Sequence, residues 1–215
     1  VNYDYIENYI RSKLPENNGI LKELEEYAKE NSVPIVRPEV ANFIKVMISI
    51  KKPSSILELG TAIGYSSILM YQASGFKSRI LTVDRDEKMV SKARSNISKY
   101  SYDDNIKVVQ GDCLELVQKL DKKYDLIFMD AAKGHYNQLL PYCLNLLNND
   151  GIIIADNVLF RGMVASKELV IRRKITIVKR MKKFLDDIST DKNLVSSILP
   201  LGDGVALIYR RSTDE

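Results

Sequence analysis

Only two cysteines, one histidine and no tryptophan occur among the 215 residues. Cys113 and Cys143 are too few for a disulfide framework and lack metal-site spacing, so a reducing cytoplasm is the expected setting. The lone His135 gives little support to a Ser-His-Asp relay. No run approaches the roughly 18 apolar residues of a membrane span. The opening VNYDYIENYI carries acids where a secretory leader would carry bases. Repeats and low-complexity linkers are missing. So is the G-x-G-x-x-G pattern of dinucleotide sites, which counts against a nicotinamide-dependent dehydrogenase.

What is present is ordinary in bulk. Apolar residues make up 45% and charged residues 28%, and the length suits one α/β domain able to bury most of its apolar surface. The expected layout is a single domain over 1–215, with a helical preface at 1–52 and an α/β core at 53–215.

The most informative stretch is Ser55–Ser67, SILELGTAIGYSS. An apolar run broken only by Glu58 stops at Gly60, Gly64 follows, and a helix begins near Ser66. A buried strand, a glycine turn and a helix N-terminus let backbone N–H groups approach a ligand closely. A second strand, Arg79–Val83, ends on Asp84, where an acid can accept hydrogen bonds from ribose hydroxyls. Asp84 or Asp86 could equally cap the helix that starts near Glu87. Turn, helix, strand and acid together favour an adenosine-containing ligand.

Around this unit, helices are expected at 2–13, 19–31 and about 39–50. The prolines of Val33–Pro38 exclude helix between the last two. Further strands are expected at 106–109, 124–129 and 151–155, with a turn at Asn148-Asn149-Asp150-Gly151. The segment 166–188 reads as mainly helical, and 195–199 and 205–209 as a hairpin around Leu201-Gly202-Asp203-Gly204. Strands alternating with helices imply a parallel sheet, with an antiparallel strand added at one edge.

Several strand ends carry acids: Asp84, Asp112, Asp130 and the pair Asp156-Asn157. Ligands of open α/β sheets bind beyond those ends. Asp130, Asp156 and Asn157 offer hard oxygen donors suited to Mg²⁺, less surely to Ca²⁺ or Mn²⁺, and unsuited to zinc. Helix capping by Asp130 and an Asx turn at Asp156-Asn157 would use the same residues. Lys133, three residues past Asp130, could act as a base. From Arg161 to Lys183 nine bases stand against one acid, Glu168, a local charge of +8 in a chain whose net charge is +4. Such a face suits a polyanion or is simply a solvated helix surface.

Together, LELGTAIGYSS, Asp84, GDC at 111–113, MDAAKGHY at 129–136, ADN at 155–157 and GDGVA at 202–206 resemble the cation-dependent O-methyltransferases of the catechol and caffeoyl-CoA type. Within that family the chain looks most similar to the bacterial tRNA 5-hydroxyuridine methyltransferases, through DNVLFRGMV at 156–164, the basic stretch after it and LPLGDGVA at 199–206. The resemblance implies an α/β class I S-adenosylmethionine methyltransferase fold: a Rossmann-like, mainly parallel seven-stranded sheet with an antiparallel edge strand and helices on both faces. It implies S-adenosylmethionine against Val36, Glu58, Gly60, Ser66, Asp84, Asp112, Cys113 and Asp130. It also implies Mg²⁺ on Asp130, Asp156 and Asn157, with Lys133 as the base. Arg161, Arg172, Arg173, Lys174, Lys179 and Arg180 would then hold phosphates of a tRNA anticodon stem-loop, and the protein would be a homodimer. One departure counts against a catechol: the acid that grips its second hydroxyl is matched here by Pro200. The alternatives are a small-molecule O-methyltransferase and a non-catalytic module that binds cofactor and RNA.

Overall fold

The computed structural model describes residues 3–131 and 133–211. Among these, the aliphatic runs form seven strands and the amphipathic stretches eight α-helices. They divide into two compact units, Tyr3–Asp112 and the chain from Cys113 onward.

In the first unit, α1 (Asp4–Ser12), α2 (Gly19–Glu30) and α3 (Pro38–Lys51) precede the first strand. Pro38 suits the first turn of α3, where its missing N–H would have had no partner. Helix α2 buries Ile20, Leu21, Leu24 and Ala28, whereas α1 buries none of its residues. Arg11 ties α1 down instead. Its guanidinium donates to both carboxylate oxygens of Glu39 at 2.9 Å and to Glu7 at 3.1 Å. Burial opposes ionisation of Glu39, but the Arg11 bond wins and holds its carboxyl below the usual range.

Strands β1 (Ser55–Leu59), β2 (Arg79–Asp84) and β3 (Ile106–Gln110) lie parallel in the order β3-β2-β1, with Ile56 beside Ile80 and Ile80 beside Ile106. Ile56, Leu57 and Leu59 are fully buried, as expected of a parallel strand covered on both faces. The connecting helices are α4 (Tyr65–Ala73) and α5 (Glu87–Lys99). Every residue of α4 from Tyr65 to Tyr71 is buried, so it is a core helix with no solvent face.

The second unit holds α6 (Cys113–Lys119), β4 (Tyr124–Met129), α7 (Tyr136–Leu146), β5 (Leu147–Asp156), α8 (Ile175–Thr190), β6 (Leu194–Leu199) and β7 (Val205–Arg210). The order is β4-β5-β7-β6; β4 and β5 run parallel, and β7 is antiparallel to both of its neighbours. Among the described residues no helix is long and apolar enough to cross a membrane.

Three local expectations need correction. The stretch 148–151 is no turn but part of β5. Its turn chemistry is absorbed by a register shift opposite Tyr124 and Leu126, with Asp150 at φ +62°. Gly151 is required there, because a Cβ would lie 2.6 Å from Leu147 Cγ. Residues 166–171 are not helical; Arg172–Lys174 make a single 3₁₀ turn and α8 begins only at Ile175. Helix α6, only 7 residues long, was not anticipated, being too short for a periodic signal.

Candidate active site

In the first unit the site is built on the turn between β1 and α4. Gly60 at φ +112° and Gly64 at φ +83° take conformations that a side chain would strain, and Gly64 also packs against α5, a Cβ there lying 3.4 Å from Ala93 Cβ. The register places the ends of the three strands side by side: the Gly60 N–H donates to Val83 O, and the Gly111 N–H to Asp84 O, both at 2.9 Å. Asp84 supports the turn from β2. One of its carboxylate oxygens accepts from the Ala62 N–H at 2.9 Å and the other from the Asp86 N–H at 3.0 Å. Helix α5 is capped by Asp86, which accepts from the Lys88 and Met89 amides, so capping does not account for Asp84.

Glu58 lies beneath the turn and is wholly buried. Its Oε2 accepts from Ser67 Oγ and, at 2.6 Å, from Thr82 Oγ1, whose hydroxyl is 2.6 Å from that of Thr61. Its Oε1 is buried with no hydrogen-bond partner. Burial pushes the Glu58 carboxyl up to about 7, against the pull of the nearby hydroxyls of Ser66, Ser67 and Thr82. Ser66 is buried near the start of α4, Val36 is buried just ahead of α3, and Asp112 is exposed after β3. Thr61, Ser67 and Thr82 carried no signal in the sequence, since a hydroxyl in an apolar run looks the same whether or not it serves a buried acid.

In the second unit the pairing of Met129 with Ala155 brings the next residues, Asp130 and Asp156, to neighbouring positions at the carboxyl ends of β4 and β5. Asp156 is only 2% exposed, and its Oδ1 accepts from the Asn157 N–H at 2.7 Å. Asn157 stands at φ +58°, in the left-handed region that asparagine tolerates best after glycine. Among the described residues no group of three or more His, Cys, Asp or Glu could hold a metal ion. A cation here would take two carboxylates and the amide oxygen of Asn157. Beneath the pair, the fully buried Tyr136 donates its hydroxyl toward Met129 O at 2.8 Å and Asp156 O at 3.1 Å. Sequence reading missed it, because a tyrosine inside an apolar helix face reads as core.

Lys133 opens a 3₁₀ turn, Lys133–His135, and is half-exposed. Helix α8 braces this turn: Arg180 Nη1 donates to Gly134 O at 3.1 Å, and a Cβ on Gly134 would meet Ile177 Cγ1 at 3.5 Å. The segment after Asn157 is held by the β6–β7 turn. Val158 N–H donates to Gly204 O, Leu159 N–H to Asp203 O, and Arg161 N–H to Asp203 Oδ1 at 2.6 Å. DNVLFR and LGDG are thus two sides of one clamp.

The sequence pattern of the O-methyltransferase family matches residues 11–211. The chain belongs to that family. It is 28% identical over 211 residues to probable caffeoyl-CoA O-methyltransferase 2 of Dictyostelium discoideum, covering 94% of this chain and 90% of that protein. It is 28% identical over 168 residues to the catechol O-methyltransferase of Niastella koreensis, covering 75% and 76%. Among solved structures, a Podospora anserina methyltransferase bound to SAH matches with a TM-score of 0.88, at 25% identity over 97% of this chain and 95% of that one. The fold is the Rossmann-like α/β fold of these enzymes.

For this O-methyltransferase the cysteines are not disulfide-bonded, and burial together with Cys113 pushes the Cys143 thiol up to about 12. Cys113 opens α6 in the second unit, one residue beyond Asp112. Of the basic residues, Arg161, Arg172, Arg173 and Lys179 are exposed. Lys174 lies 5.9 Å over the Phe160 ring, and Arg180 is turned toward Gly134. Pro200 is exposed in the turn after β6.

Proposed function

We propose that this O-methyltransferase transfers a methyl group from S-adenosylmethionine to a ring hydroxyl that has a second oxygen beside it, on a small phenol of the catechol or caffeoyl-CoA kind. The observation that carries the reading is the placement of Asp130 and Asp156 at neighbouring strand ends, with Asn157 next in the chain. Two carboxylates and an amide form a hard, all-oxygen donor set that fits Mg²⁺ and leaves positions for two substrate oxygens. Such a cation, when bound, supplies acidification of the hydroxyl and a fixed approach angle. Lys133 takes the hydroxyl proton. On the cofactor side, the unpaired buried Oε1 of Glu58 and the positive-φ glycines of the Gly60–Gly64 turn, which carry no side chain, fit a ligand with a cationic amino-acid end. Asp84, already aligned by two hydrogen bonds from backbone N–H groups, accepts from the ribose, while Asp112 and Cys113 border the adenine. The adenosyl sulfonium supplies an electrophilic methyl, so the protein's own task is placement and proton removal.

A second reading, methylation of 5-hydroxyuridine in the tRNA anticodon loop, is favoured by one observation: Arg161, Arg172, Arg173 and Lys179 are exposed together in one segment. In that case the bases hold phosphates and binding falls steeply with salt. One experiment decides between them. Purified protein, Mg²⁺ and methyl-labelled S-adenosylmethionine are offered catechol, caffeoyl-CoA or tRNA carrying 5-hydroxyuridine. Label in the small diols at a rate above that in tRNA is the expected result. Label in tRNA alone replaces the first reading with the second, and label in none removes both.

A further inference from the structure

We infer that Tyr136 is a positioning residue for the cation site, a bolt that fixes the ends of β4 and β5 at the spacing Asp130 and Asp156 need. The inference rests on the cation reading above and deepens it. Tyr136 begins α7, six residues beyond Asp130, and is 0% exposed. Its single hydroxyl proton lies between two backbone carbonyls, Met129 O at 2.8 Å and Asp156 O at 3.1 Å. Those carbonyls belong to two different strands. One immediately precedes Asp130 and the other is part of Asp156 itself.

A tyrosine that only filled the core would need one acceptor to satisfy its hydroxyl. Bridging both strand ends does something else: it removes the freedom of the two carboxylates to spread apart. The ring is itself held edge-on by Phe184 of α8, with centroids 5.4 Å apart. Groups that orient metal ligands in this way commonly change metal affinity about 10- to 100-fold when removed.

The test is Mn²⁺ binding to the full chain, read by the loss of the free-ion electron paramagnetic resonance signal. Wild type, Tyr136→Phe, Phe184→Leu and Asp156→Ala are compared, with S-adenosylhomocysteine binding as a second readout. Tyr136→Phe keeps the ring and removes only the bridge. Its Mn²⁺ dissociation constant is expected to rise about tenfold or more, with homocysteine-nucleoside binding unchanged. Phe184→Leu disturbs the same packing but keeps the hydroxyl, and is expected to stay within about threefold of wild type, below that range. Equal Mn²⁺ affinity in wild type and Tyr136→Phe, or an equal loss in Phe184→Leu, overturns the bolt while leaving the cation site standing. If wild type and Asp156→Ala bind Mn²⁺ alike, the cation reading itself fails and takes the bolt with it.

Discussion

Glu58 is an acid whose contribution to stability runs opposite to that of most surface carboxylates. Its carboxyl is pushed up to about 7 in the folded protein from an ordinary 4.5, chiefly by burial. The folded state therefore holds a proton between those values that the unfolded chain has lost. Stability is greatest below about pH 4.5 and falls as pH rises through about 7, by on the order of 3 kcal/mol in all. Glu58→Gln removes this pH dependence. Thermal melts from pH 5 to 8 are expected to show a falling midpoint for wild type and a flatter one for the variant. Parallel slopes would show that Glu58 does not titrate there. Of this network the sequence disclosed only its centre, the acid before Gly60. Its partners Ser67 and Thr82 come from two other elements, and no spacing rule links them.

At the level of elements, the clamp between the β6–β7 turn and the segment after Asn157 depends on one glycine. Gly204 stands at φ +88°, and a Cβ there would lie 2.4 Å from Leu159 Cγ. Gly204→Ala is expected to cost about 2 kcal/mol or more, lowering Tm by roughly 5 °C or more. Gly75→Ala serves as a control at another positive φ, with open space around it, and should cost about 1 kcal/mol. Equal losses in the two would mean that the Leu159 contact is unimportant. GDG was legible as a hairpin turn, though not as a support for DNVLF, because hydrogen bonds across some 45 residues leave no local mark. The buried strands were legible for the opposite reason: Ile56–Leu59 and Tyr124–Met129 are each apolar but for one acid, Glu58 and Asp125, as suits strands covered on both faces. The basic stretch misled, since 166–171 has helical spacing yet is held by turns before Ile175.

For the molecule as a whole, charge and catalysis can be separated. The exposed bases Arg172 and Arg173 make no ion pair among those found between described residues, and surface charges of this kind add little to stability. Replacing Arg172, Arg173 and Lys174 by Ala should leave melting within about 1 kcal/mol of wild type and methylation of small diols nearly unchanged. A large loss of small-diol turnover would place the segment in the small-substrate site.

The most direct measurement of the central claim is methyl transfer to caffeoyl-CoA or catechol by chelator-treated protein as Mg²⁺ is added back, in wild type and Asp156→Ala. Turnover should be absent without the cation, return saturably with it in wild type, and stay absent in the variant, whose circular dichroism remains native. Full turnover in excess chelator, or an Asp156→Ala protein as active as wild type, would contradict the assignment of Asp130, Asp156 and Asn157 to a catalytic cation.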